Sequence, residues 1–232
     1  MTHRAFLAAL LLTALPDAAS HAADPEPPRY SVREAETPPP RELAAPVAAL
    51  LGGKSVQLHD GPDALLAEVW FRKDVPAQAT EEQVANGLTW REVPETTLLA
   101  VLRVDRPLAD YRKQKIKPGL YTLRLAFQPP EGDHAGTAPH PEFLLLTPAA
   151  DDKSPDPLTA RELHEHSTRA SGTSHPCVLL LFPLKDRTPA AARLHRDADN
   201  HWLLTRPLTV RAAGRTLTLA LVLTLIGASA AA

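Results

Sequence analysis

At 232 residues the chain can hold one domain of generous size or two small ones. Hydrophobic residues make up 44% of it and aromatic residues only 5%, so leucine, valine and alanine must fill the core. A formal charge of -2 supplies no clustered positive surface for phosphates, which argues against a nucleic-acid partner.

The first 22 residues read as a secretory leader. Arg4 supplies a positive start, residues 5–15 form an apolar run, and Pro16 breaks it. Ser20-His21-Ala22 places small residues where a signal peptidase reads, so cleavage is expected after Ala22, with Ser20 or Ala23 as alternatives. The run falls short of the about 20 apolar residues that cross a bilayer. The expected location is the periplasm or the cell exterior, with no transmembrane span after cleavage. Residues 23–50 read as a proline-rich arm, marked by Asp24-Pro25-Glu26-Pro27-Pro28 and Pro38-Pro39-Pro40-Arg41-Glu42. Alternatively, Tyr30-Ser31-Val32 is a short edge strand.

Residues 51–228 form the expected domain. Short apolar runs between turn residues predict strands at 54–59, 64–72, 97–105, 119–128, 142–147, 177–183, 191–195, 201–210 and 215–226. Asp60-Gly61-Pro62-Asp63 and Asp199-Asn200 read as turns. One helix is expected, capped by Asp156 with Pro157 in its first turn and ended by Gly172, and a second, short helical turn is expected over 80–85. In the uncharged run 216–226, leucines occupy every second position from Leu217 to Leu225, which favours a strand over a membrane helix. The fold class that follows is mainly β, an antiparallel β-sandwich with one short helix. Cys177 is the sole cysteine, so no disulfide forms within the chain.

Ile116-Lys117-Pro118-Gly119-Leu120-Tyr121, leading into Thr122-Leu123-Arg124-Leu125-Ala126-Phe127, resembles the tyrosine corner of Greek-key sandwiches such as immunoglobulin-like and fibronectin type III domains. The resemblance implies that Gly119 takes positive φ, that the Tyr121 hydroxyl bonds to upstream backbone, and that Trp70 is the core tryptophan. The segments Ala67-Glu68-Val69-Trp70-Phe71-Arg72, Leu102-Arg103-Val104-Asp105 and Gly136-Thr137-Ala138-Pro139-His140-Pro141 resemble uncharacterised exported bacterial proteins, which carry over no activity.

Imidazole and thiolate ligands from His134, His140, His175 and Cys177 would make a copper or zinc site in the loops. Neither a metal-binding HExxH or CxxC pattern nor a catalytic GxSxG elbow is present. Cys177 and His175 share one strand face and are the candidates for a nucleophile and its base. The carboxylates of Asp151-Asp152, Asp197 and Asp199 read as turn residues. Arg112, Lys113, Lys115 and Lys117 form a basic stretch suited to an anionic partner. The function expected is a non-catalytic binding or assembly module with a protein or glycan partner. A copper- or zinc-binding protein and a hydrolase are the alternatives.

Overall fold

The structure is a computed structural model, and it describes residues 29–129, 131, 138–185 and 187–229. The expected leader at 1–22 lies outside the described residues. The fold is mainly β. Seven antiparallel strands make one curled sheet: β1 (Tyr30–Ala35), β2 (Leu51–Asp60), β3 (Ala64–Arg72), β5 (Leu98–Val104), β8 (Gly119–Phe127), β9 (Glu142–Pro148) and β10 (Val178–Leu180), in that spatial order. A second sheet is centred on β12 (Trp202–Ala212), with β13 (Arg215–Ile226) on one side. On its other side lie β11 (Arg193–Arg196) and the short parallel strand β4 (Val75–Pro76). A small hairpin joins β6 (Leu108–Ala109) to β7 (Lys115–Ile116).

Residues 30–35 thus take up the edge-strand alternative, paired along their length with β2. The run at 216–226 is a strand, and no helix among the described residues is long and apolar enough to cross a membrane. Its leucines explain why: Leu221, Leu223 and Leu225 point into a core shared with Val69 and Phe71 of β3, Leu123 and Leu125 of β8 and Leu204 of β12. Pro207 lies in β12 without breaking it. It occupies the stretch 206–209, which neither β11 nor β4 pairs, so its missing N–H has room on an open edge.

The expected helix is α3 (Ala160–Ser171) and the expected turn at 80–85 is α2 (Glu81–Asn86); the single helix of the expectation is corrected to three among the described residues by α1 (Ala45–Ala48) and α2, with a 3-10 turn at Trp90–Glu92 besides. The cap of α3 is Thr159 rather than Asp156. Thr159 and Glu162 bond each other's backbone N–H groups in a reciprocal box, whereas the Asp156 carboxylate takes the Ser154 hydroxyl. Gly172 ends the helix as expected.

The opposite face of the large sheet carries two further apolar clusters. Trp70 belongs to the first, with Leu43, Val47 and Leu98, so it lies beneath the α1 segment rather than in the main core. Its indole N–H donates to the Thr37 carbonyl at 2.8 Å. The second cluster places Leu163 of α3 on Ala126, Leu145 and Val178. Between them stands Arg124, paired with Leu98 on β5 and with Leu145 on β9.

Arg124 is fully buried, and all its N–H groups have acceptors. Nε and Nη2 grip the Asp152 carboxylate at 2.7 and 2.8 Å, while the remaining donors reach the carbonyls of Thr96, Ser154 and Asp156. Thr122 adds a hydroxyl to Asp152 at 2.6 Å. The segment that follows β9 is thereby fastened across the sheet. Removing one member of such a pair strands a buried charge. Asp152→Ala is expected to lower stability by about 3–5 kcal/mol in urea unfolding. A loss below about 1 kcal/mol would show that the segment is held by apolar contact alone.

The Tyr121 hydroxyl donates to the Lys117 carbonyl at 2.8 Å, the bond expected of the corner. Gly119 differs from expectation because its φ is not positive. Its role is space: a Cβ there would meet the Tyr121 ring and hydroxyl at 3.3–3.5 Å.

Candidate functional site

The two sheets meet where Leu181, just past β10, bridges Leu223 of β13, and Phe182 N–H donates to the Val222 carbonyl at 2.8 Å. Chemistry-bearing side chains collect along this junction. His140 stands edge-on to Phe182 with centroids 4.8 Å apart, Phe182 lies 5.6 Å from His201, and His201 lies 5.5 Å from Tyr111. Burial lowers the His140 pKa, which favours the neutral ring.

The β11–β12 turn supplies His201. Asp197 Oδ1 accepts from the N–H groups of Asp199 and His201 at 2.9 and 2.8 Å, and Oδ2 faces His201 Nδ1 at 2.9 Å. Burial alone would raise the Asp197 pKa, but the His201 ring and these backbone donors outweigh it and hold the carboxyl below its ordinary range. His201 Nε2 faces the Ala228 carbonyl at 3.3 Å, so neither ring nitrogen is free to act as a base. Asp197, Asp199 and His201 are the one group of three metal-ligating side chains within reach of each other among the described residues. No turn signal in the sequence marks His201 as their partner. Asp197 and His201 spend their atoms on the turn itself, which makes the group a structural clasp.

Gly227 closes this clasp. It has φ +115°, and a Cβ would sit 2.7 and 2.8 Å from the Cδ2 and Cα atoms of His201. Gly227→Ala combines a strained backbone with a contact against main chain. It is expected to cost at least about 2 kcal/mol of stability in thermal or urea unfolding, and an unchanged midpoint would contradict the close approach.

Beside the junction, Asp110 organises the loop between β6 and β7. Its fully buried carboxylate accepts from Arg112 N, Gln114 N, Gln114 Nε2 and Val178 N at 2.7–3.0 Å. Gln114 Nε2 also donates to the Pro176 carbonyl at 2.7 Å, and the Thr173 hydroxyl donates to Gln114 Oε1 at 2.5 Å. The loop therefore presents the exposed residues Arg112, Lys113, Lys115 and Lys117 from a fixed frame.

The sequence-derived metal set is described only in part. His134 lies outside the described residues. His175 is exposed, and its carbonyl accepts from the Ser171 hydroxyl at 2.6 Å. Cys177 is buried, and its N–H donates to Ser167 Oγ at 2.9 Å. Among the described residues, His140, His175 and Cys177 do not gather into a three-ligand group. Burial first, then the Asp110 carboxylate, pushes the Cys177 thiol far above its ordinary pKa, so it is a packed thiol rather than a thiolate nucleophile. A thiol reagent such as DTNB at about pH 8 is expected to leave the folded chain unmodified and to titrate one thiol after urea unfolding; rapid native reaction would contradict the burial.

Of the carboxylates assigned to turns, Asp152 is the Arg124 partner and Asp151 pairs with Arg169 at 3.3 Å. A separate cavity of about 540 Å³ is lined by Arg91, Glu95, Phe127, Gln128, Pro129, Pro141 and Ala160. Arg91 lies over the Phe127 ring at 4.7 Å and pairs with Glu142 at 2.8 Å, so its charge is committed within the wall. No protein-family model, curated protein or solved structure matches the chain.

Proposed function

We propose that the chain is an exported, non-catalytic binding module of the periplasm or cell exterior, and that its partner is an anionic glycan. The reading of export rests on the leader-like residues 1–22. The finer fold we propose is a Greek-key sandwich. Its supports are the Tyr121 corner and the path by which β10 connects through a long segment to β11–β12–β13 and then meets β13.

The observation that carries the binding reading is the carboxylate-framed basic loop. A loop whose backbone is already ordered loses little conformational freedom when it binds. Among the described residues Arg112, Lys115 and Lys117 make no ion pair, and with Lys113 they set four cations within six residues, which suits a repeating anion. A glycan is favoured over a bilayer because the loop has no apolar wedge. Leu184 is the one exposed large hydrophobic residue among the described ones, and it is not part of this loop's sequence.

Retention on a sulfated polysaccharide column at about 50 mM salt tests this, with elution expected well before about 1 M. Lys115→Ala/Lys117→Ala should weaken binding about tenfold without moving the unfolding midpoint. Absence of retention would defeat the reading. Preferential binding to anionic phospholipid vesicles would replace the glycan with a membrane.

A further inference from the structure

Among the described residues the edge strand β1 is joined by a backbone ladder to β2 alone. Two side chains reinforce it at the β2–β3 turn. Arg29 straddles the Asp60 carboxylate at 3.1 and 3.2 Å, and Arg33 Nη2 donates to the Pro62 carbonyl at 2.6 Å. Beside these contacts stands His59 of β2, opposite Ser31 on β1 and Leu65 on β3. It is only 7% exposed, and neither ring nitrogen has a hydrogen-bond partner. A neutral imidazole offers one donor and one acceptor, so burying both without partners is costly, and an apolar ring would fill the place more favourably. Packing therefore gives no reason for a histidine here. Proton uptake does.

We infer that His59 is a proton-operated release for the edge strand: its protonation places a cation beside Arg33, and β1 lifts from β2. The surrounding groups fix the sign. From β1 the charged neighbour is Arg33, diagonal to His59 in the ladder. From the turn the opposing charge is Asp63, which is exposed, while the Asp60 carboxylate is engaged by Arg29. The facing residue of β3, Leu65, carries no charge. Burial, then Arg33, lowers the imidazole pKa against the pull of Asp63. The lifted strand lets the ring regain its ordinary affinity for protons. The closed state is thus favoured above about pH 6.5, and opening gains as the pH falls below it.

Opening also breaks the tie from Ala192 N–H to Glu34 Oε1, 3.1 Å long, and the edge-on contact of Tyr30 with Trp202 at 5.3 Å. It uncovers the hydrogen-bonding edge of β2, a template for an extended chain.

Hydrogen exchange of the full chain at about pH 7.5 and about pH 5, corrected for the intrinsic rate, tests the release. Amides of residues 30–35 are expected to lose at least about tenfold protection at the lower pH, while those of β5 and β8 keep theirs. His59→Gln should abolish the difference. Should that variant fail to fold, Arg33→Gln, which removes the repelling charge, must shrink it. Constant β1 protection, loss spread equally over all strands, or a dependence undiminished in the variants would overturn the release.

Discussion

A single guanidinium holds the outer layer of this protein in place. Arg124 rises from the middle of the large sheet, and every acceptor it uses lies on another part of the chain: the Asp152 carboxylate and the carbonyls of Thr96, Ser154 and Asp156. A charge so far from water is tolerable only when all its donors are used. The geometry therefore admits one path for the segment after β9. That path leads to Thr159 and sets α3 over Leu145 and Val178, which in turn lets Ser167 meet the backbone of Cys177. Thr96 shows how firmly the path is fixed. It holds φ at 66°, offers its carbonyl to Arg124 and takes the Leu158 N–H on its hydroxyl.

Asp110 repeats the device with the opposite sign. A carboxylate surrounded by backbone and amide N–H groups shapes the loop before β7, as the arginine shapes the segment after β9. A chain with one cysteine has no intrachain disulfide with which to pin its loops. Buried charged groups with full hydrogen-bond complements take that place, and they add directional order to the apolar attraction that holds the sheets together.

Most strands were legible because alternation is a local property. The leucines of β13 and the run Glu68-Val69-Trp70-Phe71 of β3 announce a pleated chain without reference to any partner. What alternation hides is the identity of each face. Both faces of the large sheet are covered over much of their area, so Trp70 and Phe71 are each buried though they point in opposite directions. Arg124 reads as a solvent-facing residue of an ordinary strand, since its partner comes 28 residues later in an irregular segment. The α3 cap differs from the sequence pattern for a related reason. Asp156 has the right chemistry, but its carbonyl was already drawn to Arg124. At the junction the basic loop is visible in the sequence, whereas the frame beneath it depends on Val178, far along the chain.

The interrupted margin of the second sheet carries one more consequence. β11 and β4 each guard only part of β12, and Pro207 occupies the opening between them. Another molecule arriving there would find no continuous row of amides on which to extend a ladder, and arginines at 193 and 196 stand on the neighbouring strand. Fibril growth through this rim is thereby obstructed by covalent structure rather than by a covering partner.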